Sequence, residues 1–249
     1  MLGLLRTHKL TYESREDVGG GVVSLAFCSD APLQRSRAGQ HGILAVSATA
    51  MKPFTLASAP EEDRVLIGTS LESASAFKTR LAALGVGDSA LLRGPINDFT
   101  LDGVTGEVVM LAQGVGVTPM RSMLAHVALT GGATTSTLLH VAGDGHAYRA
   151  DTERWAGRAT YLRHAQEFRA AAAAAAQERG GATFFIAGNT SFVSATAALL
   201  RDNGVPRGRI REDKYRFYRP HSRPGEPSSL VEVRAKRRSP PEMACRETR

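Results

Sequence analysis

The segment Gln113-Gly-Val-Gly-Val-Thr-Pro119 is built to meet a phosphate. Gly114 and Gly116 permit a tight turn and let the backbone approach a ligand closely. Thr118 is predicted as the N-cap of the following helix and Pro119 as its first residue, where a missing N–H costs nothing. A helix that starts there offers free amides and a positive dipole end to an anion. Met120 and Arg121 stand where a third glycine would complete a dinucleotide fingerprint. An isolated Gly-x-Gly is weak, and the strand–turn–helix setting is what strengthens it. The competing reading is a glycine-rich turn with no ligand.

A second cluster lies in Lys52-Pro-Phe-Thr-Leu-Ala-Ser-Ala-Pro60. On a strand, Lys52 and Phe54 share one face and Thr55 takes the other. A cation beside a flat ring suits a phosphorylated, ring-shaped ligand, with Ser58 a further polar group nearby. Read alone, the same residues describe an edge strand with a surface lysine and a core phenylalanine. The seven histidines form no metal signature, and two cysteines, Cys28 and Cys245, cannot supply a four-thiolate zinc site, an iron–sulfur cluster or a disulfide framework. No metal is expected.

These clusters need two kinds of scaffold. Val22–Phe27, Gly42–Val46, Phe54–Ala57, Val65–Ile67 and Ala90–Leu92 read as short strands, which suggests an antiparallel barrel or sandwich. One helix interrupts them: in Ser75–Leu84, the residues Phe77, Leu81 and Leu84 make a single buried stripe. Near Gly103–Gly106 strands begin to alternate with helices. Strands are expected at Glu107–Ala112, Thr137–Val141 and Thr183–Ala187, and helices at Pro119–Leu129, Arg163–Glu178 and Ser191–Asn203. Alternation of this kind implies a doubly wound parallel sheet covered on both faces. The expected domains are a barrel over 1–102 and an α/β domain over 103–218, followed by a disordered basic tail over 219–249.

Composition narrows the class. Of 249 residues, 43% are hydrophobic and 22% charged, which excludes whole-chain disorder. The net charge is +7. The segment 219–249 holds eight basic and four acidic residues, five of the 11 prolines and no aromatic residue. Its Lys236-Arg237-Arg238 cluster would suit an anionic surface, or simply a solvated tail; nucleic acid is not the expected partner. No apolar run approaches the roughly 20 residues of a membrane span, and the short, early-charged N-terminus does not read as a secretory signal. A cytoplasmic protein is expected.

Taken in order and spacing, Lys52–Pro60, Ser75–Leu84, Gly94-Pro-Ile-Asn-Asp-Phe99, Gly114–Pro119 and Ala187-Gly-Asn-Thr-Ser-Phe-Val193 resemble the ferredoxin–NADP reductase superfamily. The resemblance covers residues 1 to about 218 and is nearest to the flavodoxin/ferredoxin reductase-like oxidoreductases. It implies a six-stranded antiparallel FAD-binding barrel and an NAD(P)-binding α/β domain. It also implies a flavin-dependent NAD(P)H oxidoreductase that passes hydride to FAD, then electrons to a ferredoxin, a flavodoxin or a small-molecule acceptor. FMN in place of FAD stays open, as does NADH against NADPH, with Asp144 pointing one way and Arg149, Arg154 and Arg158 the other.

The resemblance also assigns residues. Lys52 would meet the flavin phosphates, Phe54 would stack on the isoalloxazine, and Thr55 would hydrogen-bond near its reactive N5. Pro53 lies between them. Ser75, Ala76 and Phe77 would open the helix that binds the FAD pyrophosphate. Gly114, Gly116, Thr118 and Pro119 match the dinucleotide loop, and Gly188 the turn near the nicotinamide. Tyr215 or Tyr218, in the Glu212–Tyr218 ending, would lie near the flavin, with Tyr218 and Thr55 as the catalytic pair. Several positions depart from the pattern: Lys52 stands for arginine, Phe54 for tyrosine, Asn97 and Gln113 for glycine, and Asn189-Thr190 for prolines. A lysine loses the bidentate fork of arginine, and a phenylalanine lacks the phenol. These departures motivate an alternative: a degenerate, non-catalytic nucleotide-binding module. A third reading is a basic protein that acts through its tail.

Overall fold

A computed structural model describes residues 6–31, 33, 36–72, 75–132 and 134–215. The tail at 219–249 and Tyr218 lie outside them. The first lobe holds β1 (Thr7–Asp17), β2 (Val23–Ser29), β3 (His41–Ser47), β4 (Ala50–Thr55), β5 (Val65–Thr69), α1 (Ala76–Ala82) and β6 (Ser89–Ile96). The six strands form one antiparallel sheet in the order β4-β3-β6-β1-β2-β5. Just beyond β4 the chain reaches β5, where Ala57 N–H donates to the Leu66 carbonyl at 2.8 Å, so the sheet curls into a barrel. Leu10, Leu25, Phe27, Leu44, Ile67, Leu81 and Leu92 fill it.

The longest strand, β1, is absent from the sequence expectation. His8, Leu10 and Tyr12 do alternate inward, but a polar His8 at an inward position and the charged run Glu13–Asp17 hide the period. β4 starts four residues earlier than expected and ends at Thr55.

The second lobe contains β7 (Val108–Gln113), α2 (Val117–Thr130), β8 (Ser136–Val141), α3 (Arg149–Trp155), β9 (Arg158–Leu162), α4 (Ala165–Glu178), β10 (Thr183–Asn189), α5 (Thr190–Asp202) and β11 (Ile210–Tyr215). Its five strands are all parallel, in the order β11-β10-β7-β8-β9. Val108, Val109, Met110, Leu111 and Ala112 are fully buried, as a central strand covered on both faces requires. The alanine run is an ordinary helix: Phe168, Ala172, Ala175 and Ala176 face the sheet. After β9 the chain crosses back to lie on the other side of β7. The order therefore reverses between β7 and β10, and ligands of open α/β sheets bind outside the carboxyl ends of strands at such a point.

Candidate functional site

At that switch point lie Gln113, which ends β7, with Gly114 just after it, and Gly188 and Asn189, which end β10. Gly114–Gly116 is a single 3-10 turn that runs into α2. Gly114 has φ +52°, a left-handed conformation, and a side chain there would meet nothing. Gly116 differs: a Cβ would lie 2.3 Å from the Ala187 carbonyl oxygen on β10. One glycine makes the turn and the other lets the helix start press against the neighbouring strand.

The capping expectation is corrected. The helix begins two residues early, with Gly116 at the cap, so Thr118 and Pro119 lie inside its first turn. The Thr118 hydroxyl donates back to the Val115 carbonyl at 2.9 Å, which stabilises the turn. Pro119 is still tolerated because the amides of the first turn have no intrahelical acceptor. Gly188 is tight as well, since a Cβ there would meet the Phe192 ring at 2.7 Å. Asn189 caps α5, its side-chain oxygen accepting from Phe192 N–H at 2.8 Å.

The barrel assembles a second constellation. The Lys52 ammonium donates to the Ser75 hydroxyl at 3.4 Å and lies 5.6 Å from the centre of the Phe77 ring. Phe54 and Phe77 stack with centroids 5.5 Å apart. Lys78 adds a second ammonium, 5.2 Å from the Phe54 ring and bonded to the Thr69 hydroxyl. Burial, and then the neighbouring charge of Lys52, lower the Lys78 pKa to about 8. Neither ammonium meets a carboxylate among the described residues. Two cations held together without a counter-charge form a site for an anion.

Lys52, Phe54, Ser75 and Phe77 are thus brought together, with Phe77 itself buried in the core. Pro53 and Ala76 are exposed beside them. Ser58 is engaged elsewhere: its hydroxyl accepts from Leu66 N–H at 3.1 Å and its carbonyl accepts from the Ser122 hydroxyl at 2.7 Å. Lys78 is absent from the sequence expectation. Its signal was a cation in the first turn of a helix, where the macrodipole disfavours one.

A third cluster spans the two lobes. His41, at the start of β3, places Nε2 3.2 Å from the Thr55 hydroxyl and 3.3 Å from Oδ2 of Asp213 on β11. Its Nδ1 meets the Asn97 amide. The side chains of His41 and Asp213 are only 12% and 11% exposed. Burial lowers the histidine pKa and raises that of Asp213 to about 7, so both groups are biased toward their neutral forms. Asn97 has φ +74°, a conformation asparagine tolerates better than most residues, so it can stand where the resemblance has glycine. Thr55 therefore sits beside a proton-holding pair. His41 is absent from the sequence expectation.

The lobes are clamped by Arg121, which lies on α2 and is 5% exposed. Its guanidinium forms a fork with Glu62 at 2.7 and 2.9 Å, donates to Asp151 at 2.7 Å and to the Ala57 carbonyl at 2.9 Å. It also lies over Tyr148 and Trp155, at 5.6 and 5.1 Å from the ring centres. The described residues contain no cluster suited to a metal ion, and no helix among them is long and apolar enough to cross a membrane.

No model of a protein family matches the chain. A flavohemoprotein of Deinococcus radiodurans is 28% identical over 178 residues, which is 63% of this chain. The chain spans 44% of the length of that relative. Among solved structures, a ferredoxin NADP+ reductase from Neisseria gonorrhoeae with bound FAD and NADP superposes with a TM-score of 0.70 at 16% identity, covering 85% of this chain and 99% of that one. Phthalate dioxygenase reductase, described as a modular structure for electron transfer from pyridine nucleotides to [2Fe-2S], gives 0.69 at 18% identity, covering 83% and 67%. The chain has the fold of these two-lobed reductase modules: an antiparallel barrel, then a parallel sheet flanked by helices.

Proposed function

We propose that the chain is a flavin-dependent NAD(P)H oxidoreductase, with FAD on the barrel and the nicotinamide dinucleotide at the switch point of the parallel sheet. The observation that carries this reading is the pair Lys52 and Lys78, held with Ser75 beside two stacked rings and lacking a carboxylate partner among the described residues. Such a site fits the pyrophosphate of FAD. Gly114 would face the dinucleotide on the second side, with Gly116, Thr118, Pro119 and Gly188 buried behind it as the frame of the turn. Pro53, Phe54, Thr55, Ala76 and Phe77 complete the flavin side, with Ser58 in the adjoining wall and Tyr218 beyond the described residues.

A flavin held by these residues would supply two-electron chemistry, linking hydride from a nicotinamide to an acceptor. The protein's part is position and electrostatics. Lys52 and Lys78 would neutralise phosphate, and Thr55 would hold a hydroxyl toward the ring, steadied by His41. The acceptor would be an electron carrier, such as a ferredoxin or flavodoxin, or a small molecule. The reading extends to a cytoplasmic protein with domains at 1–102 and 103–218.

One observation favours the alternative of a non-catalytic nucleotide-binding module: the Phe54 ring already packs on Phe77 and under Lys78, so stacking on a flavin requires it to re-pack. Titration of the purified chain with FAD, followed by flavin fluorescence, tests the central site. Stoichiometric binding that weakens at least tenfold in Lys52→Gln supports the assignment, and equal affinity in wild type and variant contradicts it. Flavin and dinucleotide binding with no oxidation of NAD(P)H by any acceptor would favour the alternative.

A further inference from the structure

His140 is the fifth residue of β8, is 0% exposed, and belongs to no part of the proposed chemistry. Its Nε2 lies 2.9 Å from the Gly114 carbonyl oxygen. A carbonyl only accepts, so Nε2 must carry the hydrogen. Nδ1 is then a bare acceptor, and it is buried with no hydrogen-bond partner among the described residues. Burial, and next the charge of His146, depress the His140 pKa to about 4. The ring is therefore neutral and locked in one tautomer at ordinary pH. His146 packs edge-on at 5.0 Å between centroids and donates its own Nε2 hydrogen to the Leu162 carbonyl at 2.9 Å.

A buried lone pair without a partner destabilises the fold. A phenylalanine would fill the same apolar space without that cost. What the imidazole supplies in return is the bond to Gly114. The Gly114 carbonyl also accepts from Val117 N–H, which closes the 3-10 turn, so both of its lone pairs are engaged. In a trans peptide the C=O and the next N–H point in opposite directions. Holding the Gly114 carbonyl toward β8 therefore turns the Val115 N–H away from β8, on the far side of the turn. That turn has a left-handed residue at Gly114, and nothing packs where its side chain would be.

We propose that His140 is a positioning residue for the dinucleotide: by fixing the 114–115 peptide it aims the Val115 amide at a phosphate of the ligand. The proposal rests on the reading of this turn as the dinucleotide site. It gives His140 a role in phosphate affinity and none in flavin binding or in holding the adenosine moiety.

The test is calorimetric titration of the full chain, in wild type, His140→Phe and His140→Gln, with ADP-ribose and with adenosine, alongside an FAD titration. In His140→Phe, ADP-ribose binding should weaken about tenfold while adenosine and FAD binding change less than twofold. His140→Gln, whose amide can still donate to the carbonyl, should recover part of the loss. A purely structural histidine would lower the melting temperature without changing the ratio of ADP-ribose to adenosine affinity. An unchanged ratio in His140→Phe overturns the proposal while leaving the site intact. A wild type that binds no ADP-ribose overturns the dinucleotide site and this proposal with it. Should His140→Phe fail to fold, the nitrogen NMR shifts of His140 in the wild type decide: a protonated Nδ1 contradicts the assignment, and a bare Nδ1 coupled to a donating Nε2 upholds it.

Discussion

Lys78 works against its own helix. An ammonium in the first turn opposes the macrodipole, and Lys52 adds like-charge repulsion that, with burial, brings its pKa to about 8. The residue is therefore costly to the empty protein and useful to an anion. Lys78→Met should raise thermal stability at pH 7 by on the order of 1 kcal/mol, since partial exposure screens the effect, and should weaken FAD binding at least tenfold. The same charge predicts a pH dependence. Below pH 8 Lys78 is charged, so flavin affinity should fall as pH rises through about 8, and fluorescence titrations between pH 7 and 9 measure it. Asp213 carries the opposite sign. Its folded pKa is raised from 3.8 to about 7, so its contribution to stability is present at low pH and lost as pH rises across that interval. Asp213→Asn does not titrate there. Its stability relative to wild type should rise from about pH 4 to pH 7, by at most about 4 kcal/mol, and stay level above. Urea unfolding at pH 4, 6 and 8 checks the trend, and a gap that narrows with rising pH would contradict the raised carboxyl.

At the scale of the elements, the Gly114–Gly116 turn depends on one close approach. Gly116→Ala would place a methyl 2.3 Å from a backbone oxygen of β10, where no flexible side chain can yield. It should destabilise the protein by about 3 kcal/mol, whereas Gly114→Ala, strained only by its positive φ, should cost about 1 to 2 kcal/mol. Equal denaturant midpoints for the two variants would contradict this division of labour. Much of the scaffold was legible in the sequence because its signals are local. β7 is a continuous apolar run, the glycines follow it, and Phe77 and Leu81 mark one helix face. The start of α2 was misplaced because Thr118 and Pro119 imitate a cap, while the preceding 3-10 turn leaves no mark in residue type. β1 and β9 were missed because charged or polar residues break their alternation, and α3 because seven residues are too few to show a period. Lys52, Phe54 and Ser75 were visible as separate motifs. That Lys78 joins them, and that His41 and Asp213 meet beside Thr55, depends on strand pairing and lobe contact, which residue spacing does not record.

For the molecule as a whole, the proposed transfer between two lobes requires that they stay registered. Arg121 links α2, which follows the Gly114–Gly116 turn, to Glu62 and Ala57 of the barrel, and Tyr148 adds a bond from its hydroxyl to Ser24 at 2.9 Å. Replacing a buried, forked guanidinium leaves Glu62 and Asp151 without their cation, a loss on the order of 3 kcal/mol. In Arg121→Met, FAD and dinucleotide should each bind within about threefold of wild type, while flavin reduction slows at least tenfold because the two rings no longer meet squarely. Stopped-flow reduction beside equilibrium binding separates these effects. The most direct measurement is the visible spectrum of the purified, FAD-reconstituted chain under anaerobic conditions as NADPH or NADH is added. A stoichiometric yellow flavoprotein that bleaches with either dinucleotide is the predicted result. A chain that takes up no flavin, or one that binds flavin and both dinucleotides yet stays yellow, would contradict the account.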